Sequence, residues 1–182
     1  GYDIPSSRNI RIGFRVGFQF TGEHSVELNA SVKLDMLWVE PGTFTMGSPT
    51  TEAGRGTDEA EHNVTLTNDF YIMTTEVTQG QFELVMGYSS CDYNGCGYGQ
   101  GSDYPAYYVS WKESAAFSNE LTVLYNSLYG TNLQECYSCS GSGTNVTCSE
   151  TMDPYLCTGY SLPTEHEWEI AARSGTTSEF WT

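Results

Sequence analysis

Between Ile10 and Phe20 the chain alternates without interruption. Ile10, Ile12, Phe14, Val16, Phe18 and Phe20 fall on one side, and Arg11, Gly13, Arg15, Gly17 and Gln19 on the other. A period of two is that of a half-buried β-strand. The glycines on its outer side imply a close neighbour there. Residues 1–9 ahead of it are polar and read as loop, and Thr21-Gly22-Glu23-His24 as a turn. A weaker strand covers Val26 and Leu28, and another runs from Leu34 to Val39. Pro41-Gly42 breaks the chain before a short strand, Thr43 to Met46, that ends at Gly47. Residues 48–61 are polar with no hydrophobic period, which predicts a loop. Asn63 to Leu66 and Phe70 to Met73 are two more strands.

Helical signals follow. Thr78 is placed as N-cap of a helix to about Met86, with Phe82, Val85 and Met86 on its apolar face. Residues 87–106 form a long Gly/Tyr loop, and Tyr107 to Val109 a brief strand. Ser110-Trp111-Lys112-Glu113 is a capping box: the serine caps the N3 amide, and the glutamate reaches back. It opens the longest helix, to about Leu128, with Trp111, Ala115, Leu121, Leu124 and Leu128 near one stripe and Gly130 at its end. After a cysteine-bearing stretch over 131–160, Pro163 halts the chain, and Thr164 with Glu167 forms a further capping box. Glu165, Glu167 and Glu169 crowd the positive end of the helix dipole. Trp168, Ala171 and Ala172 share a face, which predicts the indole as the packing keystone of this helix. The end of the chain, Phe180-Trp181-Thr182, is aromatic enough to call for a cover. Short strands, two to three helices and long loops make the class α+β.

Composition narrows this picture. A length of 182 residues is enough for one domain with a sizeable core. The 13 Tyr, 8 Phe, 4 Trp and 19 Gly predict aromatic packing over many turns. The net charge of -16, with only 7 basic residues, would repel phosphate backbones and excludes nucleic-acid binding. No apolar run reaches the ~18 residues of a membrane span. The chain begins Gly1-Tyr2-Asp3 without Met, as a processed or excised piece would.

Six cysteines, Cys91, Cys96, Cys136, Cys139, Cys148 and Cys157, lie in loop-like surroundings. An even count of this kind favours disulfides and an oxidising compartment. Zinc is the rival, since Cys136-x-x-Cys139 would make a half-site. The wide separation of Cys148 and Cys157 argues against it. Ser140-Gly141-Ser142-Gly143 reads as a hairpin turn that would bring Cys139 to Cys148 and leave Cys136 for Cys157. Cys91 and Cys96 would close a small loop.

Candidate sites are few. Glu52, Asp58, Glu59 and Glu61, with His62, cluster in the polar loop and could offer oxygens to calcium, although no EF-hand spacing is present. His166 sits among acids with no nucleophile beside it. Asn29, Asn63 and Asn145 head N-glycosylation sequons. The most suggestive surface is the tyrosine-rich loop: Tyr88, Tyr93, Tyr98, Tyr104, Tyr107 and Tyr108. Tyrosine supplies contact area at low entropic cost. The competing reading is that these rings cover a loop-rich core.

Several separated stretches read together: Trp38-Val39-Glu40-Pro41-Gly42-Thr43-Phe44-Thr45-Met46-Gly47-Ser48, then Thr75-Glu76-Val77-Thr78-Gln79-Gly80-Gln81-Phe82, then Tyr107-Tyr108-Val109-Ser110-Trp111, and finally Leu162-Pro163-Thr164-Glu165 through Ala171-Ala172-Arg173. In this order they resemble the formylglycine-generating enzyme (sulfatase-modifying factor) family over about residues 26–182. The resemblance implies a variant of the C-type lectin-like fold. It also implies a secreted or lipid-anchored setting for the Cys136–Cys157 insertion. Two departures stand beside it. The family's segments beyond the Ala-Ala-Arg helix, which carry its calcium ligands and copper-binding cysteines, have no counterpart here, so no catalytic residue carries over. Ile12-Gly13-Phe14-Arg15-Val16 is similar to the family's closing strand, yet it precedes the opening strand.

The chain therefore divides into a closing-strand segment, 1–25, and the N-terminal part of a family-like domain, 26–182. It could be a piece of a tandem protein, a circular permutant, or one part of a split assembly; a tandem or assembled protein is the favoured expectation. The expected role is an extracellular, cell-surface or periplasmic binding or structural domain. Its partners would be a protein, a glycan, copies of itself, or a segment supplying the missing half. No cofactor is expected in this chain beyond a calcium ion. The alternative is part of a copper-dependent formylglycine-generating oxidase, or a related iron-dependent sulfoxide synthase, whose catalytic half lies elsewhere.

Overall fold

The structure, a computed structural model, describes residues 15–18, 25–92 and 95–173. Most of the alternating strand at 10–20, the turn at 21–24, Tyr93 and the aromatic tail lie outside the described residues.

The centre is a four-stranded antiparallel sheet in the order β1-β6-β3-β2. Its strands are β1 (Gly17–Phe18), β2 (Ser25–Glu27), β3 (Lys33–Val39) and β6 (Phe70–Met73). β4 (Gly42–Met46) and β5 (His62–Leu66) form a separate antiparallel pair, as do β7 (Tyr137–Ser140) and β8 (Thr147–Glu150). Three helices, α1 (Gln79–Met86), α2 (Trp111–Tyr129) and α3 (Glu165–Arg173), complete an α+β arrangement.

β6 explains its own composition. All four of its residues are buried because it lies between β1 and β3 with both faces covered. Tyr71 and Met73 join the main core with Val16, Leu34, Met36, Phe82, Phe117 and Tyr160. Phe70 and Ile72 face the other way, into a smaller cluster with Leu66, Phe44 and Ile170 of α3. A strand buried on both sides reads as a continuous apolar run, as this one does. β3 keeps strict alternation over its first half, with Leu34 and Met36 in and Lys33 and Asp35 out. Each large side chain so buried contributes about 1.5–3 kcal/mol.

Each helix opens on a reciprocal capping box, Thr78 with Gln81, Ser110 with Glu113, and Thr164 with Glu167. The boxes are also packed. Glu113 is buried and accepts a hydrogen bond from the Tyr88 hydroxyl at 3.0 Å. Phe82 of α1 stacks on Phe117 of α2 with ring centroids 5.9 Å apart.

In α3 the expected roles are exchanged. Trp168 is 45 % exposed, whereas Glu167 is 5 % exposed. The Glu167 carboxylate is held by the Thr164 amide and hydroxyl, both at 2.8 Å, so its head is satisfied and can go inside. In α2, Ala115 and Leu121 are buried, but Leu128 is exposed. Beside Phe117 and Leu121, the buried face of α2 also carries small polar residues. Asn119 donates to the Tyr137 carbonyl at 2.7 Å and accepts from its amide at 3.2 Å, acting as a one-residue strand partner. Thr122 receives the Tyr160 amide at 2.9 Å.

Tyr107 to Val109 is not a strand. Tyr108 has φ of 62°, a left-handed conformation that breaks extended pairing.

The Met46-Gly47-Ser48 and Ala171-Ala172-Arg173 stretches meet in space. Arg173 donates to the Gly47 carbonyl at 2.6 Å and to Glu169 at 2.6 Å, and Glu169 accepts from the Gly47 amide at 2.8 Å. Gly47 has φ of +94°, and a Cβ there would lie 2.7 Å from the Ala60 carbonyl oxygen. Only glycine fits this position.

Candidate functional site

The aromatic loop is built on the first turn of α1. Gln79 is buried beneath it. Its side-chain amide donates to the carbonyls of Gly99 at 3.0 Å and Pro105 at 3.2 Å, and its carbonyl accepts from the Gly101 amide at 3.1 Å. The Gln79 and Gly80 amides donate to the carbonyls of Tyr104 at 2.7 Å and Ser102 at 3.0 Å. One residue thus ties both limbs of the loop to a helix end. The Cys91–Cys96 disulfide closes its first turn.

On this base sit the tyrosines. Tyr107 is buried, and its hydroxyl donates to the Gly99 carbonyl at 3.0 Å while accepting from the Tyr98 amide at 3.0 Å. Tyr98 packs on Tyr107 and Tyr108, with centroid separations of 5.7 and 6.3 Å, and Tyr107 lies 5.3 Å from Tyr108. Separations of this size are those of favourable edge and tilted contacts. Tyr98 is 59 % exposed and Tyr104 48 %. The Tyr104 ring lies against Gly99, where a Cβ would overlap it. Partial desolvation, then the neighbouring Tyr98 and Tyr107, raise the Tyr108 hydroxyl pKa, so it remains a neutral donor. The five described tyrosines of the predicted six therefore separate, Tyr93 lying outside the described residues. Tyr98 and Tyr104 are exposed, Tyr108 is half-buried, Tyr107 packs under Tyr98 and Tyr108, and Tyr88 turns inward to Glu113 and Phe82.

The remaining cysteines pair as Cys136–Cys157 and Cys139–Cys148. The second pair joins facing positions on β7 and β8. Cys136 and Cys157 are buried with Ala115 and Tyr137, beside Trp111. Burial pushes the Tyr137 hydroxyl up to about 12, even though the Leu162 amide donates to it at 2.9 Å.

In the polar loop, Glu59 accepts from the Gly56 amide at 3.0 Å, and Arg55 donates to the Ser48 carbonyl at 2.8 Å. Among the described residues, no three His, Cys, Asp or Glu side chains gather at metal-binding range, so Glu52, Asp58, Glu59 and Glu61 are not brought into one cluster. His166 lines an open pocket of about 500 Å³ with Asp153, Tyr155 and β5. Burial, chiefly, raises the pKa of the adjoining Glu167 carboxyl, with the Asp153 charge adding to the rise and the Thr164 bonds opposing it.

Gln79 was missed by sequence reasoning. Its one signal is a long polar amide at the first helical position, immediately after a cap. Such a side chain can turn back from the helix into a neighbouring loop.

A family model for the sulfatase-modifying factor enzyme 1-like domain matches residues 24–182. A curated protein named "Chaperone protein LppX", from Paenibacillus barcinonensis, is 32% identical over 162 residues, covering 85% of this chain and 50% of the relative. The chain thus spans about half the length of that relative. No solved structure matches significantly. Among the described residues, no helix is long and apolar enough to cross a membrane.

Proposed function

Since the chain belongs to the sulfatase-modifying factor enzyme 1-like family, we propose that it is a non-catalytic binding domain presenting Tyr98, Tyr104 and Tyr108 to a protein partner. The observation that carries this reading is the exposed tyrosine group itself, fixed from below by Gln79 and Tyr107. Rings held in place lose little freedom on binding, which favours affinity. A protein partner is preferred to a glycan because the relative is named a chaperone protein. Three disulfides suit an oxidising compartment, at the cell surface or beyond it. We take the fold to be a C-type lectin-like variant, in which loops of this kind face outward.

The oxidase alternative needs thiols. All six cysteines are paired, so a copper-holding pair would have to come from outside this chain. Conversion of a sulfatase cysteine to formylglycine by the isolated chain would overturn the non-catalytic reading.

The test uses a photo-crosslinking residue at Tyr98, with a control at the exposed Glu120, on cells producing the full chain, together with a glycan array. Adducts to a discrete protein from position 98 alone, weakened at least tenfold by Tyr104→Ala, are expected. Adducts of equal yield from both positions would refute it. A strong array signal lost on Tyr104→Ala would replace the protein partner with a glycan.

A further inference from the structure

β1 occupies an unusual place. It lies before the family-matched segment, which begins at residue 24, yet it fills the interior. On one side it pairs with β6, Gly17 with Ile72 and Phe18 with Tyr71, and the Met73 amide donates to the Val16 carbonyl at 3.2 Å. On the other side Gly17 exchanges both backbone bonds with Ser161, at 2.8 and 3.1 Å. Val16 is fully buried in the main core. The Arg15 guanidinium reaches Glu76 at 3.3 Å. Four residues thus satisfy a slot walled by β6 and the backbone of Ser161.

An empty slot would strand the amides of Met73 and Ser161 and the Ser161 carbonyl in positions that are buried. Buried backbone groups without partners are costly, so the slot demands a strand. The groups that hold the strand are mostly main chain. Main-chain pairing is indifferent to whether the strand comes from the same molecule or another. The connection is what decides. β1 and β2 stand at opposite ends of the sheet order, three strand spacings or about 14 Å apart. The chain from Phe18 to Ser25 spans seven Cα steps, reaching about 24 Å. Connection within one molecule is feasible over this distance. It fails once the connection is shortened by about half.

We propose that the slot between β6 and Ser161 is a strand-acceptor site that takes the Arg15–Phe18 segment of a second copy, joining chains by exchange of an identical strand. This interaction surface is separate from the tyrosine loop. Exchange conserves every contact of β1, so its balance is set by concentration and by the length of the connection.

The test compares the full chain with a variant lacking residues 20–23, whose remaining three Cα steps reach only about 10 Å. Light scattering across a hundredfold concentration range should show multimers of the full chain growing with concentration. The shortened variant should be multimeric throughout. A full chain that stays monomeric across the range, or a folded, strictly monomeric shortened variant, would overturn the proposal. A second measurement covers failure of that variant to fold. In the full-length Gly17→Pro variant the native strand loses its donor to Ser161. A synthetic peptide of residues 11–20 should bind this variant, or restore its folding, at least tenfold more tightly than it binds the unaltered chain. Equal binding, or neither binding nor rescue, overturns the acceptor site. Tyr98→Ala and Tyr104→Ala should leave both readouts unchanged, so failure here and failure of the tyrosine surface are distinguishable.

Discussion

Replacing Gln79 with alanine should loosen the aromatic loop while leaving the sheet intact. The side chain makes three hydrogen bonds to loop backbone, to Gly99, Pro105 and Gly101. A typical bond of this sort contributes about 1 kcal/mol net. Gly101 and Pro105 are exposed, so water can replace the lost partners in part. The expected global cost is therefore about 1–2 kcal/mol, below the simple sum. The local effect should be larger in kind. The Gly101 amide, now protected by the Gln79 carbonyl, should exchange its hydrogen roughly tenfold faster, since ~1.4 kcal/mol of local protection is a factor of ten. Gln79→Glu sharpens the test. It keeps an acceptor for Gly101 but sets a carboxylate against the carbonyls of Gly99 and Pro105. It should be worse than alanine at neutral pH and recover when the carboxyl is protonated. Urea unfolding with hydrogen exchange measures both. If Gln79→Ala left the urea midpoint and the Gly101 exchange rate unaltered, the loop would be held by something else.

Gly47→Ala should cost about 2–4 kcal/mol in urea unfolding, because it combines positive φ with a Cβ inside contact distance of the Ala60 carbonyl. Replacing Cys136 and Cys157 together by serine should cost about 2–4 kcal/mol, read from the same assay in the oxidised proteins. The Tyr137 hydroxyl is raised in the folded state to about 12 from an unfolded value near ~10, so its contribution is present below ~10 and lost as pH rises through about 12. That loss should reach about 2–3 kcal/mol, and Tyr137→Phe should flatten this part of an alkaline stability profile. Glu167 is likewise raised by burial, so its contribution is full below ~4.3 and lost as pH rises through its higher folded value. Stability of the unaltered protein relative to Glu167→Gln should therefore fall across that window, as followed by thermal melts at stepped pH.

The regular elements were legible because each announces itself locally. Thr78, Ser110 and Thr164 cap helices where the sequence places them, since a capping box needs only four adjacent residues. Phe70–Met73 is legible as a strand, but its burial on both faces depends on β1, which is distant in the chain. Trp168 departs from the pattern because hydrophobicity is not a rank order of burial. The box satisfies the Glu167 head and carries its stem inside, while the indole remains near half exposed. The tyrosines of the loop are identical in type, and distant partners sort them: Glu113 and Phe82 hold Tyr88 inside, and the Gly99 carbonyl and Tyr98 amide hold Tyr107. No periodicity encodes that choice.

Polar side chains that imitate a strand recur among the described residues. Asn119 exchanges two bonds with Tyr137, and Asn126 exchanges two with Leu133 at 2.9 and 3.0 Å. The Tyr155 hydroxyl accepts the amides of Thr67 and Asn68, both at 2.7 Å. Gln79 does the same for the aromatic loop. Asn119 does this at the first residue of β7, and in the other cases an irregular segment has its backbone groups satisfied without joining a sheet, which removes the usual reason for a long loop to move. The entropy of ordering is then spent at folding and not at binding. A recognition surface made this way needs few contacts to be selective, because its rings are already in position. Gln79 should therefore affect binding through the loop it holds while touching no partner itself. On that logic Gln79→Ala should weaken attachment at Tyr98 and Tyr104 by more than its effect on global stability accounts for.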